Sequence, residues 1–190
     1  MKHLIALARI IILIILITGL VSSGLAAAES PAPANTIQVT IGMDEFNTSG
    51  SGTGCSLREA IQSANTDTSF GGCAAGSGTD TITFQVNLDT IILSINPVDD
   101  ANNATGDLNI ESNLTIQGPG WQDLTIDADG NLSRIFEIRN AGANLSVTIQ
   151  GVALINGNSG ENENGGAILN QESLVLDGVL LAENHADKSG

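Results

Sequence analysis

Apolar and polar residues alternate with a period of two in many short runs along this chain, and that alternation is its dominant structural signal. Ile37, Val39 and Ile41, with Gln38 and Thr40 between them, predict a strand over 36–41 with one buried face. Polar, glycine-rich loops follow at 42–54 and 66–78, and strands resume with DTITF at 80–84 and DTIILSI at 89–95. An acidic turn region spans 97–107. Beyond it the alternation recurs in three series. One is DLNI at 107–110, IFEI at 135–138 and GAIL at 166–169. The second is LTIQG at 114–118, VTIQG at 147–151 and LVLDG at 174–178, and the third LTID at 124–127, VALIN at 152–156 and VLLAEN at 179–184. Corresponding positions lie 33 and 27 residues apart in the second series (Leu114, Val147, Leu174) and 28 and 27 apart in the third (Ile126, Leu154, Leu181). Three strands per period of about 28 describe a mainly-β coil with three sides, in which like aliphatic side chains stack between turns.

A different period appears once. Leu57, Ala60, Ile61 and Ala64 fall at i, i+3, i+4 and i+7, which predicts a short amphipathic helix starting at Leu57, with Arg58, Glu59 and Gln62 facing elsewhere. Ser56 and Glu59 form a capping-box pair at its start. Two turns of helix are marginal in water, so the apolar stripe must dock on a surface. An open coil supplies one, because its ends present unpaired strand edges. The helix is therefore expected to cap the N-terminal end. At the other end the chain stops at Gly190 just after a completed third-series strand, so the coils are expected to continue in a longer protein.

Composition fits narrow coils. There are 22 Gly but only four Phe, one Trp and no Tyr, so the core is aliphatic and turns are frequent. Glycines at 118, 130, 151, 157, 160 and 178 suit tight corners. The formal charge is −15, which repels phosphate backbones and argues against nucleic acid as a partner. Lys2, His3 and Arg9, the apolar run from Ile10 to Leu20 and the small residues Ala26 to Ala28 make the three-part pattern of a secretory signal peptide, with cleavage expected before Glu29. An uncleaved N-terminal anchor is the rival reading. Export makes a Cys55–Cys73 disulfide the default, whereas a metal site would need more ligands than His185 can add. The resulting division is a signal peptide at 1–28, a linker at 29–35, a cap region at 36–84 and coils over 85–190.

CSLREAI at 55–61, followed by QSAN, then GGC at 71–73, GSGTDTITF at 76–84 and the later LTIQGPG, LTIDADG and GGAILN, resembles exported bacterial proteins with the CSLREA domain. That resemblance implies a cap region ahead of a right-handed parallel β-helix (pectin-lyase-like), secretion or display at the cell surface, and often a C-terminal surface anchor. Members often carry a further cysteine shortly before the motif; its absence from GSGTG leaves Cys73 as the partner of Cys55. The family brings no established catalytic residues.

Two function classes follow. One is a structural, adhesion or glycan-binding protein, with an extracellular glycan or a surface protein as partner and membrane contact only through the leader or a C-terminal anchor. The other is a polysaccharide lyase or glycosidase, for which Asp123, Asp127 and Asp129 beside Arg134 and Arg139 are the candidate groups. Asp-Gly corners are also ordinary turn chemistry. Calcium is a further candidate, at Asp99, Asp100 and Asp107 or at Asp127 and Asp129, although no EF-hand or nonapeptide pattern is present. No other cofactor is implied.

Overall fold

The computed structural model describes residues 35–48, 52–97, 103–128, 133–161 and 163–188, so the leader and nearly all of the linker lie outside the described residues. The fold is mainly β, with parallel sheets and one helix. In chain order the elements are β1 (Thr36–Val39), α1 (Leu57–Thr66), β2 (Asp80–Phe84), β3 (Thr90–Ile92), β4 (Leu108–Ile110), β5 (Leu114–Gln117), β6 (Thr125–Asp127), β7 (Phe136–Ile138), β8 (Ser146–Gln150), β9 (Ala153–Ile155), β10 (Ile168–Asn170), β11 (Ser173–Asp177) and β12 (Leu180–Ala182). They form a first sheet ordered β1-β2-β5-β8-β11, a second ordered β3-β6-β9-β12 and a third ordered β4-β7-β10. From β4 onward the chain visits the third, first and second sheets in rotation. Among the described residues no helix is long and apolar enough to cross a membrane.

The register follows the apolar alternation. Leu114 pairs with Val147 and Val147 with Leu174, while Ile126 pairs with Leu154 and Leu154 with Leu181. In the third sheet Leu108 pairs with Phe136 and Phe136 with Ile168, so the last strand of that series begins at Ile168, within the predicted 166–169 segment. The ladder also extends further toward the N-terminus than the three series do. β2 and β3 pair with β5 and β6, and β1 pairs with β2 across the excursion that carries α1. Inward columns such as Ile37, Ile82, Ile116 and Ile149 are fully buried, each contributing roughly 1.5–3 kcal/mol. At β11 and β12 the same columns reach Leu176, 41% exposed, and Leu181, 49% exposed. Gly118 sits where strands turn most tightly: a Cβ there would lie 2.2 Å from the Gly151 carbonyl oxygen.

The helix packs as its stripe predicts, with Leu57, Ala60, Ile61 and Ala64 buried in the same core as the strands. Its other side differs from expectation. Arg58, Glu59 and Ser63 are also fully buried, because the loop at 43–47 and the turn at 103–107 cover Arg58 and Glu59, and the loop after the helix reaches back so that Ser63 Oγ accepts from the Phe70 amide.

One inward position breaks the aliphatic pattern. Asp80 occupies the column that continues as Leu114 and Val147, and it is fully buried. Its Oδ1 accepts from the Asn35 and Ser77 amides at 3.2 and 2.8 Å, while Oδ2 has no hydrogen-bond partner. Burial raises its pKa, opposed by those two amides and assisted by the Asp67 charge. A raised folded-state value favours the protonated form, so its contribution to stability is present at low pH and is lost as pH rises through that value. Asp80→Asn keeps the acceptor and removes the ionisation. The melting temperature of the variant minus that of the wild type is therefore expected to grow as pH rises above the ordinary Asp range; a difference constant with pH would contradict this account.

Candidate functional site

The outer face of the third sheet carries a cluster of paired charges. Strand alternation turns Glu137, the middle residue of β7, outward, in register with Asn109 of β4 and Leu169 of β10. Arg134 and Arg139 flank β7. Arg139 Nη1 lies 3.0 Å from Glu137 Oε1, and Arg134 Nη1 lies 3.6 Å from Glu137 Oε2, so one carboxylate is held between two guanidiniums. Arg134 Nη1 also donates to Asp107 Oδ2 at 2.8 Å, and its Nη2 lies 3.7 Å from Glu163. Arg134 Nε is buried without a hydrogen-bond partner. Glu137 is nearly buried, whereas Arg139 is 55% exposed by side chain and presents its remaining donors outward. Two adjoining cavities of about 490 and 480 Å³ lie on this face and share Arg139 and Gln171, making one polar groove. Both volumes fall in the range of small-molecule clefts. Planar guanidinium, amide and carboxylate groups of this kind hydrogen-bond hydroxyl-bearing ligands.

The ion pairs of Arg134 separate it from Asp123 and Asp127, with which the lyase or glycosidase reading groups it. Its carboxylate partners are Asp107, Glu137 and Glu163, not Asp123 or Asp127, because Arg134 leads into the third sheet while Asp127 ends β6 in the second. Asp127 Oδ1 accepts from Asn156 Nδ2 at 2.8 Å, and Asp123 lies in an exposed turn after Gly120. Asp99, Asp100 and Asp129 lie outside the described residues. Asp107 stands beside a cation, and among the described residues no three His, Cys, Asp or Glu side chains come together as a metal site.

The cap contains a second polar constellation. Cys55 and Cys73 form a disulfide. Ser56 Oγ accepts from the Glu59 amide at 3.2 Å, and Glu59 Oε2 accepts from the Ser56 amide at 3.2 Å, a complete capping box. The other Glu59 oxygen accepts from the Asn47 backbone and side-chain amides. Arg58 uses all five donors. It forks onto Asp44 at 2.7 and 2.9 Å and donates to the carbonyls of Asn103, Gly106 and Asp107 at 2.8–3.2 Å. Asp44 Oδ2 accepts in turn from the Ser94 and Ile95 amides. Asp44, Asn47 and Asn103 sit in loops with no periodic signal, which is why sequence patterning does not single them out. No family model, curated protein or solved structure matches this chain.

Proposed function

We propose that this chain is an exported, cell-surface or secreted protein of the CSLREA-domain type, whose right-handed parallel β-helix serves as a rigid platform for adhesion or glycan binding. The observation that carries the reading is the rotation of the chain through three parallel sheets, with in-register aliphatic columns and a disulfide-tied helix packed among the first strands. Such a three-sided solenoid presents long, regular faces, as repeat architectures do. The N-terminal leader pattern and the disulfide both fit an oxidising compartment outside the cytosol. A polysaccharide lyase or glycosidase is the second reading, favoured by the charged groove around Glu137 and Arg139. There the two guanidiniums on Glu137 suit a fixed ion network better than proton transfer.

Expression of the full chain with its own leader in a bacterial host tests the first reading. Protein in the medium or open to external protease on intact cells, beginning near Glu29, is the expected result; retention in the cytosol with the leader attached would overturn it. Release of reducing ends or unsaturated uronate from added polysaccharide would move the assignment to the second reading.

A further inference from the structure

Across β1, β2, β5 and β8 the outer face of the first sheet is a grid of neutral hydrogen-bonding groups, which ends at β11, where the exposed Val175 and Asp177 continue the two rows. Parallel pairing places Thr36, Thr81, Thr115 and Thr148 in one row across four strands. Two residues along, Gln38, Thr83, Gln117 and Gln150 form a second row in the same register. Strand geometry sets these groups about 4.8 Å apart along each row and roughly 6.6 Å apart between rows. All eight are exposed or half-buried, and none of their side chains hydrogen-bonds to another described residue. The buried column Ile37, Ile82, Ile116 and Ile149 lies beneath this face. No outward position of β1, β2, β5 or β8 is charged, in a chain with 21 acidic residues; the only ionisable residue on these strands, Asp80, points inward.

Thr and Gln are good surface residues for strands, and stacked acids would repel one another in a parallel ladder. That explains the lack of charge, but it does not require two unbroken rows of unengaged hydroxyls and amides. We propose that this face binds a neutral, extended polysaccharide lying along the two rows. Sugar hydroxyls both donate and accept, as Thr hydroxyls and Gln amides do, and Thr methyls offer apolar contact to the C–H faces of pyranose rings. The strand spacing is of the same order as the advance per sugar in an extended β-linked chain, so one weak contact recurs at every strand and the contacts sum. Neutrality sets specificity: binding desolvates no ion, and the acidic remainder of the molecule disfavours uronate polymers.

Because contact with an external glycan presupposes export, this inference rests on the functional reading above, and the two are tested separately. Purified full-length protein is sedimented with insoluble cellulose and titrated with cellohexaose, with polygalacturonate as the anionic comparison. Retention on cellulose, saturable binding of cellohexaose and little binding of polygalacturonate are expected. Replacing Thr81, Thr115, Gln117 and Gln150 by alanine is expected to weaken binding at least tenfold with the melting temperature checked in parallel, and Thr115→Asp with Thr148→Asp to abolish it. Thr125→Ala, on the second sheet, is expected to leave binding unchanged. Failure of the wild type to bind either neutral probe, preference for polygalacturonate, or binding that survives the face variants but is lost in Arg139→Ala would each overturn the assignment. An exported chain with no affinity for neutral glycans sinks this face alone; a chain that is not exported sinks the functional reading.

Discussion

Arg58→Ala is expected to cost about 3–5 kcal/mol, the usual penalty for removing one partner of a buried ion pair. At roughly 2–4 °C per kcal/mol for a chain of this size, the melting temperature should fall by about 6–20 °C. The reason lies in the number of groups that one guanidinium satisfies. It pairs with the buried Asp44 carboxylate and with three carbonyls from the turn at 103–107, so its removal leaves a buried charge and takes a donor from each of three carbonyls. Those groups join the helix, the loop at 43–47 and the strand entry at β4, so the loss is expected to loosen the cap before the later strands. Arg58→Lys is expected to recover only part of the loss, because an ammonium cannot fork onto Asp44 while reaching the same carbonyls. Thermal unfolding measures the first effect, and hydrogen exchange of the 57–66 amides locates it. An alanine variant that melts within 1 °C of the wild type, a shift far below this estimate, would remove Arg58 from the account of the cap.

Removal of the disulfide has the second largest expected effect. The Cys55–Cys73 bond closes a loop of 18 residues, for which the chain-entropy model gives about 3 kcal/mol. Both half-cystines are buried in the core cluster that also holds Leu57, Ile61 and Ala64. The Cys55→Ala, Cys73→Ala variant is expected to unfold at correspondingly lower denaturant concentration, with the deficit confined to the cap. Wild-type protein treated with reductant under native conditions should be slow to react, because the sulfurs are covered until the cap opens. Equal midpoints for oxidised protein and variant would show that tertiary packing alone holds the segment.

These two variants bear on the region that sequence patterning reads only in part. The capping box and the apolar stripe are visible in Ser56, Glu59, Leu57, Ala60, Ile61 and Ala64, because local hydrogen bonding and the helical period act within a few residues. The burial of Arg58 is not visible, since its partners lie 14 and 45–49 residues away in loops without a period. The same division holds on the third sheet. Arg134 and Arg139 stand out on either side of IFEI, yet the partner of Arg134 is Asp107, 27 residues earlier, and only the stacking of β4 beside β7 brings them together. The lyase or glycosidase reading groups Asp123 and Asp127 with Arg134 by nearness in sequence, and in a chain that changes sheet every few residues such nearness does not survive folding.

What the sequence determined by itself is the strand alternation, the spacing between like strands, the single capped helix and the two cysteines, all of which depend on periods or pairings that a chain carries locally. What only the tertiary structure decided is which polar groups meet. Parallel stacking turned eight separate Thr and Gln residues into two continuous rows on the first sheet, gathered Asp107, Arg134 and Glu137 on the third, and enclosed Arg58 and Glu59 on all sides. A buried polar group is stable only where distant backbone and side-chain partners converge on it, and that convergence is a property of the packed fold rather than of any segment.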